Sequence, residues 1–330
     1  MKSLLSVQNL KVGIKQEREW IFPILDVNLE VGYRETVGLV GESGSGKSLT
    51  AMALLKLLSK LTTRIEAKKM QLGNINLLSA EKKLMQKVLG AQVGFVMQNA
   101  QGCLNPTMKI KDQIIESMLI HGIFSDKAQA LFESKRLLDL VEIQNSSHVL
   151  NCYPYELSGG MKQRVVIAAA VATKPKLLIA DEPTSSLDIE SQEATLDLFK
   201  TIQNEFYTSI LLITHDLNLA KNFCEKITVM YAGKTIESMR KTAYSNSFHP
   251  YTQHLLDSKP TLKSSKEIPL FTLEQRSAKV SPNHHCPFVF RCPKAMNICV
   301  KNCPVQYNLN DHHQVSCFLA QAPIFEDILS

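Results

Sequence analysis

Four short stretches carry the residues able to do chemistry. "GESGSGKS", residues 41–48, sets glycines at positions 41, 44 and 46 ahead of Lys47 and Ser48. Glycines let a backbone wrap phosphates with its N–H groups, a lysine neutralises their terminal charge, and a serine hydroxyl can ligate Mg²⁺. "LLIADE" ends in Asp181 and Glu182, a carboxylate able to hold Mg²⁺ followed by one able to polarise an attacking water. "LLITHD" places His215 at another apolar run's end, where a neutral imidazole can bond a terminal phosphate. Gln98 in "VGFVMQN" is a candidate sensor of Mg²⁺ or water.

A second glycine-containing turn needs its own explanation. In "YELSGGMKQRVVIAAAVA", residues 155–172, Ser158, Gly159 and Gly160 stand before an apolar-rich stretch with helical character. A helix start attracts anions through unpaired N–H groups and the helix dipole. One chain thus carries two candidate phosphate grips.

These residues require particular elements behind them. "RETVGLVGESGSGKSLTAMALLKLL" passes from a β-branched run through glycines into a periodic apolar stretch, which predicts strand, loop and helix. "PKLLIADEP" and "TSILLITHD" are short apolar runs ending in polar residues, as buried parallel strands are. Open α/β sheets place ligands at such strand ends. Residues 100–160 turn helical, in "KIKDQIIESMLI" and "DKAQALFESKRLLDLV", and predict a helical subdomain interrupting the sheet core. The expected fold class is α/β. From about 257 to 283 the chain is polar with three prolines and reads as a linker or arm.

Bulk composition bounds the rest. The chain has 330 residues, 45% of them hydrophobic, enough for a main globular unit plus something smaller. A formal charge of +6 is too modest to argue for nucleic acid. No stretch approaches the ~18 apolar residues of a membrane span, and the amino-terminal apolar run is too short for a secretory signal, so a cytoplasmic setting is expected. Five of the eight cysteines, Cys286, Cys292, Cys299, Cys303 and Cys317, crowd the last 45 residues. In that setting such crowding suggests metal more than disulfides.

Taken in order, "GESGSGKS", "VMQ", "LSGGMKQR", "LLIADEPTSSLD" and "LLITHD" resemble the nucleotide-binding subunit of an ABC transporter, over about residues 5–255. The resemblance implies a P-loop ABC nucleotide-binding domain, with a RecA-like core, an antiparallel β-subdomain and a helical subdomain, over 1–256. After the 257–283 arm it implies a small Cys-rich extension over 284–330. ATP then lies between two domains packed head to tail, the Gly41–Ser48 loop of one facing the Ser158–Gly160 turn of the other. Gly41, Ser43, Gly44, Gly46, Lys47, Ser48, Leu49, Ser158, Gly159, Gly160 and Asp188 are the implied ATP-contacting residues. Glu182, His215 and Gln98 are the implied catalytic residues, with Ser48, Gln98 and Asp181 on Mg²⁺. The "SSLD" stretch with Asp188 resembles the family's D-loop, and a helix cap is its local reading.

"QNAQGCLNPTMKI", "YPYELSGGMKQR", "VMYAGKTIE", "HPYTQHLL" and "HCPFVFRCPKAMNIC" followed by "HHQVSC" resemble the oligopeptide and dipeptide importer branch. There the tail resembles a motif for a [4Fe–4S] cluster, with Cys286, Cys292, Cys299 and Cys317 at its four positions. Zinc, using cysteines with His284, His285, His312 or His313, and reduced thiols without metal are the alternatives. The branch implies a second ATPase subunit, more often a different chain, two membrane permeases and an extracytoplasmic solute-binding protein, with this subunit peripheral on the cytoplasmic face of the cell membrane. An importer of nickel or another small solute is an alternative cargo reading. A soluble ABC ATPase acting on ribosomes or DNA fits less well, since such proteins usually carry tandem cassettes or a coiled-coil insertion. Where the family stacks an aromatic on adenine the chain aligns Ile14, with Trp20 the other candidate; Asn99 stands where the branch often has Asp.

Overall fold

A computed structural model describes residues 3–185, 187–257 and 285–320. Of the arm expected at 257–283, Asp257 ends the helix Pro250–Asp257, and 258–283 lie outside the described residues, as does His284. The chain divides into two compact units. One comprises residues 1–4, 31–36 and 72–213, the other 5–30, 37–71 and 214–330.

In the first unit, the β-branched apolar runs become three parallel strands, Val93–Val96, Leu177–Asp181 and Ser209–Thr214, with Leu177–Asp181 central. Register pairs Val93 with Leu177 and Leu177 with Ser209, and every residue of the latter two strands is buried. Such strands read as unbroken hydrophobic runs because both faces are covered. The helices Ile110–Ile120, Lys127–Leu140 and Gly159–Val171 pack on one another, the helical region expected from the periodicity. Ile110, Ile114, Met118, Leu137, Leu138, Val165 and Ile167 seal them. Each such side chain contributes about 1.5–3 kcal/mol when fully buried.

In the second unit, the strands run in the order Lys69–Leu72, Ser3–Gln16, Glu19–Gly32, Lys234–Arg240, Lys226–Tyr231, Thr36–Val40. Thr63–Glu66 adds antiparallel to Ser3–Gln16. Thr36–Val40 pairs parallel with Lys226–Tyr231, which forms an antiparallel hairpin with Lys234–Arg240. Ala232 and Gly233 both have positive φ at that hairpin's turn, the conformation two-residue hairpins prefer.

The carboxy-terminal segment joins this unit's sheet. Its strand His313–Val315 pairs antiparallel with Lys234–Arg240, Glu237 opposite Val315, and takes Tyr307–Asn310 as its own antiparallel partner. Sequence patterning gave no sign of these short strands, because three or four residues carry too little alternation to register as a period. Among the described residues, no helix is long and apolar enough to cross a membrane.

Candidate functional site

The phosphate loop follows the buried strand Thr36–Val40 and opens the helix Lys47–Leu54. Gly41 has no room for a side chain, since a Cβ there would strike the Met230 carbonyl oxygen. Gly44 and Gly46 have φ of +81° and +105°, a backbone that residues with a Cβ adopt only at a cost. The loop closes on itself: Ser45 N–H donates to the Glu42 carbonyl at 3.1 Å, and Gly233 N–H donates to the Ser45 carbonyl at 3.0 Å. Lys47 is buried, its ammonium donating to the Gly41 and Glu42 carbonyls at 2.8 and 3.0 Å. The Ser45 hydroxyl is buried without a hydrogen-bond partner. Ser43 is exposed, and Ser48 and Leu49 sit half-buried in the first helical turn. This is a preformed cradle whose glycine conformations, orphan hydroxyl and ammonium fit a polyphosphate.

His215 belongs to the same unit, exposed just beyond the strand Ser209–Thr214. Its neighbour Asp216 holds the turn: its N–H donates to Thr214 Oγ1 at 3.0 Å, and its carboxylate caps the helix Leu217–Phe223 through Asn218 and Leu219 N–H. The fixed turn presents an imidazole to solvent. Trp20 lies under the Arg64 guanidinium, 4.1 Å from its ring centroid, so one face is taken by a cation.

The other candidate residues lie in the first unit. Asp181 is a buried carboxylate at the end of the central strand, suited by charge and position to a divalent cation. Glu182 leaves that strand with φ +45°, while its N–H still donates to the Ile213 carbonyl at 2.9 Å. A left-handed non-glycine residue costs roughly 1–2 kcal/mol, and such strain concentrates where a side chain must be aimed. Gln98 Nε2 donates to Glu182 Oε2 at 3.0 Å, bringing together two residues far apart in the chain.

Ser158 is the N-cap of the helix Gly159–Val171, its exposed hydroxyl accepting from Met161 N–H at 3.3 Å. A Cβ on Gly160 would meet nothing within 4 Å. Asp188 caps the helix Ile189–Phe206 with one carboxylate oxygen on Ser191 N–H and the other on its hydroxyl, each at 2.9 Å. Those bonds hold its carboxyl below the usual aspartate range. The helix-cap reading of Asp188 is therefore what its local geometry shows.

Sequence reasoning passed over several residues that hold these elements. Gln163, on the helix Ser158 caps, donates through Nε2 to the Pro183 carbonyl, tying that helix to the residue after Glu182. Gln192 donates to the Thr184 and Leu187 carbonyls at 3.2 and 3.1 Å, fixing the loop before Asp188. Both glutamines sit on helix faces where nothing local distinguishes them from solvated residues.

The four-cysteine expectation is corrected. Cys286, Cys292, Cys299 and Cys317 line one small apolar cavity with Phe288, Val289 and Phe318, and all are free thiols. Among the described residues, however, no group of three or more His, Cys, Asp or Glu side chains is arranged to hold a metal ion. Burial pushes the thiols of Cys286 and Cys317 up, to about 12 and about 11. The expected [4Fe–4S] centre is thereby overturned. His313 instead bonds Glu237 through Nε2 at 2.6 Å, both side chains buried.

A glycine-lined phosphate loop in one unit and carboxylates ending a parallel strand in the other, preceded by a Ser-Gly-Gly helix start, define the class as an ABC nucleotide-binding cassette. Residues 24–185 match the family described as ABC transporter, and residues 237–299 match the oligopeptide/dipeptide transporter carboxy-terminal region. The chain is 37% identical to the dipeptide transport ATP-binding protein DppD of Bacillus subtilis, over 100% of this chain and 98% of that protein. It is also 37% identical to the oligopeptide transport ATP-binding protein OppD of Escherichia coli, over 92% and 90% of the two chains. The dimeric bacterial ABC transporter cassette MJ0796 superposes with a TM-score of 0.62 at 26% identity, covering 72% of this chain and 98% of that one. The chain belongs to the ABC transporter family, in the oligopeptide/dipeptide branch of its ATP-binding subunits.

Proposed function

We propose that this chain is the ATP-hydrolysing subunit of an ABC importer of dipeptides or oligopeptides. The observation that carries the reading is the preformed phosphate loop, with Lys47 buried in it, in a chain matching peptide-transport ATP-binding proteins along its length. Gly41, Ser43, Gly44, Gly46, Lys47, Ser48 and Leu49 take the triphosphate. Mg²⁺, when bound by Ser48, Gln98 and Asp181, neutralises charge on the transferred phosphoryl group. Glu182 polarises the attacking water, Gln98 holds that carboxylate in direction through the bond seen here, and His215 bonds the terminal phosphate. Ser158, Gly159, Gly160 and Asp188 act on the nucleotide of a facing cassette. The exposure of Ser158, Gly160 and Asp188 supports this, since an exposed helix start has N–H groups that an outside anion can reach.

The cassette spans 1–256 in this reading, followed by the 257–283 arm and a Cys-rich carboxy-terminal extension over 284–330. Its partners are a second ATPase subunit, more often a different chain, two membrane permeases and a solute-binding protein reached through them. It works from the cytoplasmic face of the cell membrane as a peripheral subunit, and hydrolysis loosens the paired cassettes to drive the permeases between states. The test is reconstitution of the chain with its permeases in vesicles. Peptide added with the solute-binding protein should raise ATP hydrolysis and accumulate inside. Hydrolysis that ignores peptide but responds to another solute would overturn the cargo assignment.

A further inference from the structure

Glu42, the second residue of the phosphate loop, is gripped by residues from the far end of the chain. Its carboxylate takes both arms of the Arg291 guanidinium, at 2.9 and 3.0 Å. Its backbone N–H donates to the Tyr251 hydroxyl at 2.9 Å. Arg291 closes the short helical turn Val289–Arg291, its side chain only 14% exposed, and also donates to the Tyr231 hydroxyl at 3.2 Å. Phe288, fully buried one turn earlier, packs edge-on against Tyr231 and Tyr251 at 5.2 and 5.4 Å between centroids. The guanidinium is thereby held by packing as well as by charge.

A carboxylate is an awkward neighbour for a polyphosphate. Left ionised and unpaired in the loop, it would repel the ligand that the glycines and Lys47 attract. A two-armed guanidinium contact cancels that charge and fixes its direction, as a single ammonium on a flexible stem does less well. Both groups lie in the same compact unit. Lys47 completes the arrangement by donating to the carbonyl of the same Glu42.

We propose that Arg291 is a positioning residue for nucleotide binding: the carboxy-terminal segment neutralises and orients Glu42 so that the phosphate loop accepts a polyanion. The proposal rests on the ATP-binding reading and adds a role for the tail within it. Nucleotide affinity then depends on whether the tail is docked.

The experiment titrates purified full-length chain with a fluorescent ATP analogue in Mg²⁺ at low and high salt. Arg291→Gln should weaken binding about tenfold at low salt, the size of one like charge roughly 10 Å away at an effective dielectric of about 25. The loss should shrink as salt rises. Arg291→Lys, which keeps the charge but not the two-armed contact, should bind within about threefold of the parental level. Adding Glu42→Gln to Arg291→Gln should restore most of the affinity, because no unpaired carboxylate remains. A tail that merely staples the fold would lower the melting temperature in Arg291→Gln with no such rescue. Parental affinity in the folded Arg291→Gln protein, or a double variant binding no tighter than the single, overturns the proposal. If Arg291→Gln fails to fold, Arg291→Lys and the double variant decide: should either bind about tenfold or more below the parental level, the proposal falls. Failure of the ATP-binding reading looks different, since the parent and Lys47→Ala would then bind the analogue alike.

Discussion

Two glycine-containing helix starts serve this chain in opposite ways. The loop at Gly41–Ser48 is built from inside: its glycines occupy backbone space closed to other residues, its lysine bonds its own carbonyls, and Tyr251 and Arg291 hold Glu42 from outside the motif. The turn at Ser158–Gly160 is open, with an exposed serine that caps its own helix and a glycine facing empty space. Similar composition thus yields one turn closed in by its own unit and one turn left open. The difference lies in what surrounds each turn, because N–H groups at a helix start bind an anion usefully only where something else confines it.

Breaking each side of this contrast has a distinct signature. Glu182→Gln lies outside both turns and should lower hydrolysis by roughly 1000-fold while leaving ATP affinity intact, read by phosphate release beside nucleotide titration. Parental turnover in that variant would remove Glu182 from the water-polarising role. Lys47→Ala strikes the complete site and should weaken nucleotide binding on the order of 100-fold. Ser158→Ala strikes the open one: affinity of the isolated chain should stay at the parental level, while turnover of the assembled pair falls about tenfold and the melting temperature drops with the loss of a cap worth ~1 kcal/mol. Should Ser158→Ala weaken the isolated chain as much as Lys47→Ala does, the contrast collapses.

The smallest effect concerns acid stability of the unit holding the phosphate loop. His249 is buried near Phe288, and its Nδ1 accepts from Tyr251 N–H at 3.1 Å, a role open to the neutral ring. Burial lowers its pKa from 6.5 to about 4. Between those values the unfolded chain binds a proton that the folded chain refuses, so the stabilisation is complete above pH 6.5 and lost as pH falls toward 4. From pH 7 to 5.5 the loss should reach about 1 kcal/mol, seen as a falling denaturation midpoint that flattens in His249→Gln.

Much of the cassette was legible beforehand. The strand, loop and helix around Lys47, the buried strands ending at Asp181 and Thr214, and the helical stretch after residue 100 all follow from local rules of periodicity and glycine placement. The bond from Gln98 to Glu182 was not legible, nor was Gln163 on Pro183, since each joins segments whose spacing carries no shared period. The cysteine tail misled for a related reason. Residue type and spacing propose ligands, but whether three or more such side chains are placed to hold a metal ion is decided by packing, and among the described residues none are.

The amino-acid order by itself determined the phosphate loop, because the conformations at Gly44 and Gly46 and the helix start at Lys47 are set by residues within a few positions of one another. Tertiary structure alone decided that Glu42 should meet Arg291 across 249 positions and that His313 should close on Glu237 across 76. Such pairs form only once apolar packing has paid the entropy of bringing distant chain together, and no local pattern records where that packing will deliver them.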